Sequence, residues 1–92
     1  MMQKRKIDGN NKELLVLIDT MLKFNTREKM YDFLYGILTP KELIEVPNRL
    51  AIVKMLKNGI QHQEIAEKLH VGVATVTRGS REIQKGRFKY LK

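Results

Sequence analysis

The segment that most constrains the fold is residues 62–83, HQEIAEKLHVGVATVTRGSREI. Its apolar side chains recur every three or four residues, which predicts two short helices, at about 62–69 and 73–85, with HVG between them. Ala66 falls where two such helices cross most closely, because a larger side chain there would push them apart. The segment therefore predicts a helix-turn-helix. The side chains expected to hold its two helices together are Ile65, Leu69, Val71, Val73, Val76 and Ile83.

The turn of this motif departs from the common form, because His70 stands where a Gly is usual. His tolerates the left-handed backbone conformation better than most residues, and Gly72 follows closely enough to relax the chain. We therefore expect a left-handed His70 and an intact turn.

Two further helices are predicted before residue 38. Asn10 or Asn11 caps the first, KELLVLIDTMLKF, and Asn25 with Glu28 resembles a capping box that opens the second, TREKMYDFLYGIL. The first helix is apolar on more than one face, so it needs cover from several sides. In a chain of 92 residues, burial between two subunits supplies that cover most simply, which predicts a homodimer.

The third helix has the clearest start signal in the chain. Thr39 is its predicted cap, Pro40 takes the first helical position, and Glu42 is placed to bond back to the cap. The helix is expected to end at Asn58-Gly59 with a left-handed exit, and Pro47 in its interior predicts a kink or a break into two segments. The side chains expected to point inward are Leu43, Val46, Leu50, Val53 and Leu56.

These elements predict an all-α fold of five to six short helices, since no strand pattern interrupts them. We expect one domain, 1–92, with four parts. A flexible basic arm takes residues 1–10, the dimerisation helices take 11–58, the helix-turn-helix takes 61–86, and a short tail takes 87–92.

The formal charge of +8 is unevenly distributed along the chain. Residues 54–92 hold nine Lys or Arg against three Glu, net +6, whereas residues 1–53 hold nine against seven Asp or Glu, net +2. This distribution favours a polyanionic partner met at two places, and a merely solvated basic surface is the alternative. The cations of the arm are Lys4, Arg5 and Lys6.

Several other classes of protein fit the sequence poorly. The lack of Cys and of a secretion signal predicts a cytoplasmic location, and no apolar run approaches the roughly 18 residues of a membrane span. Catalysis, a metal and a prosthetic group are not expected, because Ser80 faces inward and His62 and His70 form no ligand pair. A basic RNA-binding or nucleoid-type module is the rival that charge alone would serve, although interleaved aromatic residues are missing.

The second helix of the motif presents three faces when its residues are placed about 100° apart. The buried stripe is Val73, Val76, Ser80 and Ile83. The opposite face, offered to a partner, is Ala74, Thr77, Arg81 and Lys85. The third flank is Thr75, Arg78, Gly79 and Glu82.

An interior Gly costs a helix about 1 kcal/mol relative to Ala, so Gly79 on the third flank needs a reason. One interpretation is that a small molecule binds against the backbone there, with Arg78 and Glu82 beside it. The other is an Arg78 to Glu82 salt bridge across a Gly that is kept for helix packing.

Over residues 37–86 the sequence strongly resembles the Trp repressor family, through LTPKE, RLAIVKML, EIAEKL and ATVTRGS. The resemblance implies an intertwined all-helical homodimer that binds L-tryptophan as corepressor and reads a palindromic double-stranded DNA operator. This family is itself one of the standard examples of helix-turn-helix docking, so the docking geometry comes with the resemblance. The tryptophan-binding residues it implies are Leu38, Thr39, Arg49, Arg78, Gly79 and Glu82.

One of these implied ligand residues departs from the family. Glu82 differs from the Ser of the best-known members, so it either pairs with the ligand ammonium or binds Arg78 and closes the site. The resemblance thus implies a transcriptional repressor of tryptophan-related genes, and a DNA-binding dimer that ignores tryptophan is the alternative. The positions implied to face bases or phosphates are His62, Gln63, Val73, Ala74, Thr75 and Thr77, and the cations expected at phosphates are Arg81, Lys85, Lys4, Arg5 and Lys6.

Overall fold

The computed structural model of the chain describes residues 11–92, which contain five α-helices and no strand. The predicted all-α class is therefore confirmed for these residues. The arm cations Lys4, Arg5 and Lys6 lie outside the described residues. The helices are α1 (Lys12–Lys23), α2 (Arg27–Ile37), α3 (Pro40–Lys57), α4 (His62–Leu69) and α5 (Val73–Gln84).

The chain forms two compact units, one that ends at Leu38 and one that begins at Thr39. The first unit holds α1 and α2, and the second holds α3, α4, α5 and the tail that follows them. The predicted internal boundaries, with dimerisation helices up to residue 58, stay a prediction.

The two helices of the first unit are capped by side chains. Asn11 accepts a hydrogen bond from the Leu14 N–H at 3.1 Å, as predicted for α1. The prediction for α2 was wrong by one residue, because Thr26 rather than Asn25 caps it and accepts from the Lys29 N–H at 3.2 Å. Thr26 is the residue with extended backbone directly before the first helical turn, so only its hydroxyl reaches the free N–H groups.

The first unit leaves about half of its apolar side chains exposed and buries none of them in residues 11–38. The rings of Phe24 and Phe33 pack 5.0 Å apart, but no residue of α1 or α2 is buried. An uncovered set this large is unusual on a small monomer, and it matches the sequence prediction that α1 needs cover. The large exposed apolar residues of these helices are Leu15, Val16, Ile18, Leu22, Tyr31, Tyr35 and Ile37.

Helix α3 begins with the predicted capping box. The Glu42 N–H donates to the Thr39 hydroxyl at 3.2 Å, and the Thr39 N–H donates to the Glu42 carboxylate at 2.9 Å. The predicted break at Pro47 was wrong, since one helix runs from Pro40 to Lys57. Pro47 is exposed, so water can reach the Leu43 carbonyl that loses its hydrogen bond, and the turns on both sides hold the helix together.

The core of the second unit lies where α3, α4 and α5 meet. Its buried side chains belong to all three helices, and the C-terminal half of α3 supplies two of them. The predicted inward face of α3 was partly wrong, because Val46 and Leu50 are exposed whereas Ile52 is 1% exposed. The prediction assumed cover along the whole helix, but α4 and α5 cover only its later turns within this unit. The buried residues are Ile52, Val53, Ile65, Ala66 and Val76.

Candidate nucleic-acid interface and ligand cavity

The turn between α4 and α5 has the geometry of a helix-turn-helix. His70 adopts the left-handed conformation, with φ 56° and ψ 47°, as predicted. The N–H groups of His70 and Val71 both donate to the Ala66 carbonyl oxygen, the second at 3.1 Å. These bonds close α4 and turn the chain into α5, which begins after Gly72.

The contact between α4 and α5 is apolar and tight. Ile65 and Val76 are completely buried, and Ala66, 8% exposed, lies at the crossing as predicted. The predicted stripe on α5 was wrong at its first position, because Val73 is 43% exposed while Val76 carries the contact. Val73 is the first residue of α5, and only the following turns of the helix pack on α3 and α4.

The outer face of α5 is open to a partner. Ala74 and Thr75 are exposed, Thr77 is half-buried, and Arg81 and Lys85 are exposed and cationic. Lys85 pairs with Glu82 at 3.3 Å, whereas Arg81 makes no ion pair within residues 11–92.

The first helix of the motif begins next to this face. The N-terminal turn of α4 presents an exposed Gln63 and a half-buried His62. All of the described residues predicted to face DNA therefore belong to α4, to α5 or, for Lys85, to the C-cap of α5. This part of the molecule offers amide, hydroxyl, imidazole and cationic groups, which are the groups that bind base edges and phosphates.

A cavity of about 300 Å³ lies on the other flank of α5, against α3 and the tail. Its volume is at the lower end of the roughly 300–1,000 Å³ typical of small-molecule sites. It brings together four of the predicted ligand residues, which are Arg49, Arg78, Gly79 and Glu82. The remaining lining residues are Ile52, Val53, Thr75 and Phe88.

Two predicted ligand residues are absent from this lining. Thr39 is the N-cap of α3 and uses its hydroxyl in the capping box, and Leu38 is the last residue of the first unit. Their role in binding stays an expectation from the family resemblance.

Gly79 permits a close contact between α5 and α3. A Cβ at this position would lie 3.1 Å from Cγ2 of Ile52 and 3.6 Å from Cδ1 of Leu56. The first distance is tighter than ordinary contacts, so Ile52 would have to move by a few tenths of an ångström, and helix packing is one reason for the Gly. The same residue also lines the cavity, because the close approach leaves its backbone at the wall.

The charged groups of the cavity have partners of their own. The Arg78 to Glu82 salt bridge considered from the sequence is not formed, because the Glu82 carboxylate lies 3.3 Å from Nζ of Lys85 and 4.0 Å from Nε of Arg87. Arg49 lies 4.0 Å from the Glu45 carboxylate on an exposed surface. Arg78 makes no ion pair within residues 11–92, so its guanidinium is free to meet an anion.

Phe88 is the lining residue that sequence reasoning missed. It lies in the tail, which the sequence predicts only as a short ragged turn. Its backbone φ is 63°, and the Lys57 ammonium donates to its carbonyl oxygen. The signal available in the sequence was weak, since it consists of one aromatic residue two positions after Gly86.

Two other kinds of site are absent from the described part of the chain. No group of three or more His, Cys, Asp or Glu side chains is arranged to hold a metal ion there. None of the helices in residues 11–92 combines the length and the apolar character needed to cross a bilayer.

Comparison with known proteins finds the same family as the sequence motifs. The chain matches the model of the family described as "Trp repressor protein" over residues 12–92. It is 36% identical over 66 residues to the "Trp operon repressor homolog" of Vibrio vulnificus strain YJ016, and equally to that of strain CMCP6. The match covers 70% of this chain and 65% of each relative, slightly less than two thirds of their length. No solved structure gives a significant match.

The family match covers every element that builds the site. It includes the α3 turns that carry Arg49, the helix-turn-helix, and the tail with Phe88. The resemblance seen in the sequence is thereby confirmed, and the chain belongs to the Trp repressor family.

Proposed function

We propose that the protein is a sequence-specific DNA-binding transcriptional regulator of the cytoplasm, acting as a repressor of tryptophan-related genes. The observation that carries the proposal is the α4 to α5 packing, in which Ile65, Ala66 and Val76 are buried while the outer face of α5 stays open. This arrangement fixes α5 as a rigid element that fits the major groove.

The groups on this face have separate roles in the proposal. Ala74 supplies an apolar contact suited to a thymine methyl, and Thr77 and Gln63 supply polar groups for base edges or bridging waters. Arg81 and Lys85 neutralise phosphates, which gives affinity and salt dependence without sequence information.

The proposal includes a homodimer. Each unit has apolar side chains that a second copy would cover: those of α1 in the first unit, and Ile44, Val46 and Leu50 on α3 in the second. A two-fold dimer presents two copies of α5, so its operator is palindromic with half-sites about 34 Å apart.

L-tryptophan is the proposed corepressor, bound in the cavity beside Gly79. The Arg49 and Arg78 guanidiniums are planar groups able to stack on an indole ring and to pair with a carboxylate. Glu82 supplies the anion for the ligand ammonium. A zwitterionic aromatic amino acid satisfies all three groups at once.

In vitro selection from a random duplex pool tests the DNA-binding proposal without assuming an operator sequence. The full chain, in the presence of L-tryptophan, is expected to enrich a palindrome with half-sites one helical turn apart. Arg81→Ala should weaken binding to the selected duplex several-fold and lower the slope of log affinity against log salt by about one. Lys29→Ala, which removes an exposed Lys from α2, is the matched control and should change neither.

If the chain enriches no palindrome and binds bulk RNA as tightly as duplex DNA, the result would instead indicate the basic RNA-binding or nucleoid-type module. Salt-dependent binding of this kind follows charge alone and needs no ordered face on α5.

A second candidate is a DNA-binding dimer of the same fold that ignores tryptophan. The observation that favours it is the pairing of Glu82 with Lys85 and of Arg49 with Glu45, since both pairs compete with a ligand. Both pairs are partly exposed, and exposed pairs contribute at most about 1 kcal/mol. A ligand that stacks between guanidiniums can therefore displace them, which is why L-tryptophan remains the first candidate.

A further inference from the structure

The tail that follows α5 is held in place by polar contacts from two helices. The Arg87 N–H donates to the Glu82 carbonyl oxygen at 3.0 Å, which ties the tail to the last turns of α5. From the end of α3, the Lys57 ammonium donates to the carbonyl oxygens of Phe88 and of Leu91, the latter at 2.8 Å. One side chain thus bonds two carbonyls of a turn that lies more than thirty residues later.

These contacts hold Phe88 in a conformation that it does not prefer. A φ of 63° crowds the Cβ of a bulky residue and persists only where the surroundings fix it. In this conformation Phe88 lines the cavity, and the residue is 40% exposed, so its ring is within reach of a bound ligand. Strained backbone of this kind is typical of ligand clamps.

The charged residues that line the cavity differ from Phe88 in the part of an amino acid that they suit. Arg49 and Arg78 can stack on an indole ring, but together with Glu82 they also suit the carboxylate and ammonium that all amino acids share, so they accept amino acids of many kinds. Phe88 is the one aromatic residue among those that line the cavity. Aromatic rings pack favourably against one another beyond the area that they bury, so this ring favours a ligand that is itself aromatic.

We infer that Phe88 is the residue that makes the cavity selective for an aromatic ligand, and that Lys57 is a positioning residue that holds the ring at the wall. The inference rests on the proposed ligand cavity and adds to it the source of its selectivity. Lys57 acts only through the two tail carbonyls, because it does not line the cavity itself.

Calorimetric titration of the full chain with L-tryptophan and with L-leucine tests this inference. Phe88→Gly removes the ring and also relieves the backbone strain, because Gly adopts positive φ readily. The relief offsets part of the packing lost with the ring, and helix content measured by circular dichroism checks that the variant folds. It is expected to bind L-tryptophan about tenfold more weakly and to change its L-leucine affinity by about twofold or less. Tyr90→Ala removes an 87% exposed ring from the same tail and should leave both affinities unchanged.

The role of Lys57 is tested by a pair of variants in the same titration. Lys57→Arg keeps a donor that can reach both carbonyls and should retain the preference for L-tryptophan, whereas Lys57→Met should lose it with the helix content of the protein unchanged. Equal losses for both variants, without a change in selectivity, would reduce Lys57 to a stability residue and overturn that part of the inference.

These titrations distinguish failure of the Phe88 assignment from failure of the proposed ligand site. If Arg78→Ala abolishes L-tryptophan binding while Phe88→Gly binds as the wild type does, the cavity is a ligand site and the assignment of Phe88 is wrong. If the wild type binds neither amino acid, the proposed ligand site fails, and the selectivity assigned to Phe88 fails with it.

Discussion

At the residue scale, Gly79 connects the packing of the fold with the cavity. Its missing Cβ allows α5 to approach Ile52 closely, and the same approach places its backbone at the wall beside Arg78. The sequence allowed either helix packing or clearance for a small molecule. The structure accounts for Gly79 by packing, and clearance for a ligand remains part of the proposed function.

Gly79→Ala is expected to lower the free energy of unfolding by up to about 2 kcal/mol. Ala gains about 1 kcal/mol of helix propensity over Gly, but crowding a packed core costs about 1–3 kcal/mol. Ile52 is 1% exposed and β-branched within a helix, so its Cγ2 has no free rotamer to take. Urea denaturation at a fixed protein concentration measures the change.

The control for this prediction is the double variant Gly79→Ala with Ile52→Leu. Leu has no Cγ2, so the 3.1 Å contact disappears while the core volume is kept. Gly79→Ala should then be neutral or stabilising relative to Ile52→Leu alone. A single Gly79→Ala variant more stable than the wild type would show that Ile52 gives way and that packing does not require the Gly.

At the element scale, the helix positions were readable because their signals are local. Thr39, Pro40 and Glu42 specify the start of α3 within four residues, and His70 supplies the left-handed turn of the motif. The inward face of α3 could not be predicted from local signals, because it depends on which turns of α3 are covered by α4 and α5. Val46 therefore looked like a core residue but is exposed.

Pro47 gives the prediction at this scale, because α3 continues through it without a break. Pro47→Ala restores one backbone hydrogen bond and removes a poor helix former, and these two changes together favour the helix by up to about 3 kcal/mol. The more flexible unfolded chain of the variant offsets about 1 kcal/mol of this gain. We expect the free energy of unfolding, measured by urea denaturation, to rise by about 1–2 kcal/mol. Lys54→Ala, at an exposed position of the same helix, is the control and should have little effect.

An unfolding free energy that falls in Pro47→Ala would contradict this account of α3. It would mean that the exposed Pro47 makes a contact, within the native assembly, that outweighs its cost to the helix.

At the scale of the whole molecule, the proposed DNA-binding face and the cavity lie mainly on different flanks of α5, and Thr75 belongs to both. The first includes Ala74, Arg81 and Lys85, and the second includes Arg78 and Glu82. Residues of α3 and α5 line the cavity, so the proposed ligand would contact both helices at once and would favour one placement of α5 over others. The sequence predicted both flanks, because helical spacing alone separates them. It did not predict that the tail brings Phe88 to the cavity, because that placement depends on Lys57, which is distant in sequence.

The central claim is that ligand binding at this cavity controls DNA binding by α5. The affinity of the full chain for its selected palindromic duplex, measured by fluorescence anisotropy with and without saturating L-tryptophan, tests it most directly. We predict that L-tryptophan tightens binding by a factor of about ten or more, within the usual range of roughly 5–150-fold for coupling between two sites, and that Arg78→Ala abolishes the increase. Equal affinity in the two conditions, with the palindrome still bound, would contradict the claim and identify a Trp repressor family member that ignores tryptophan.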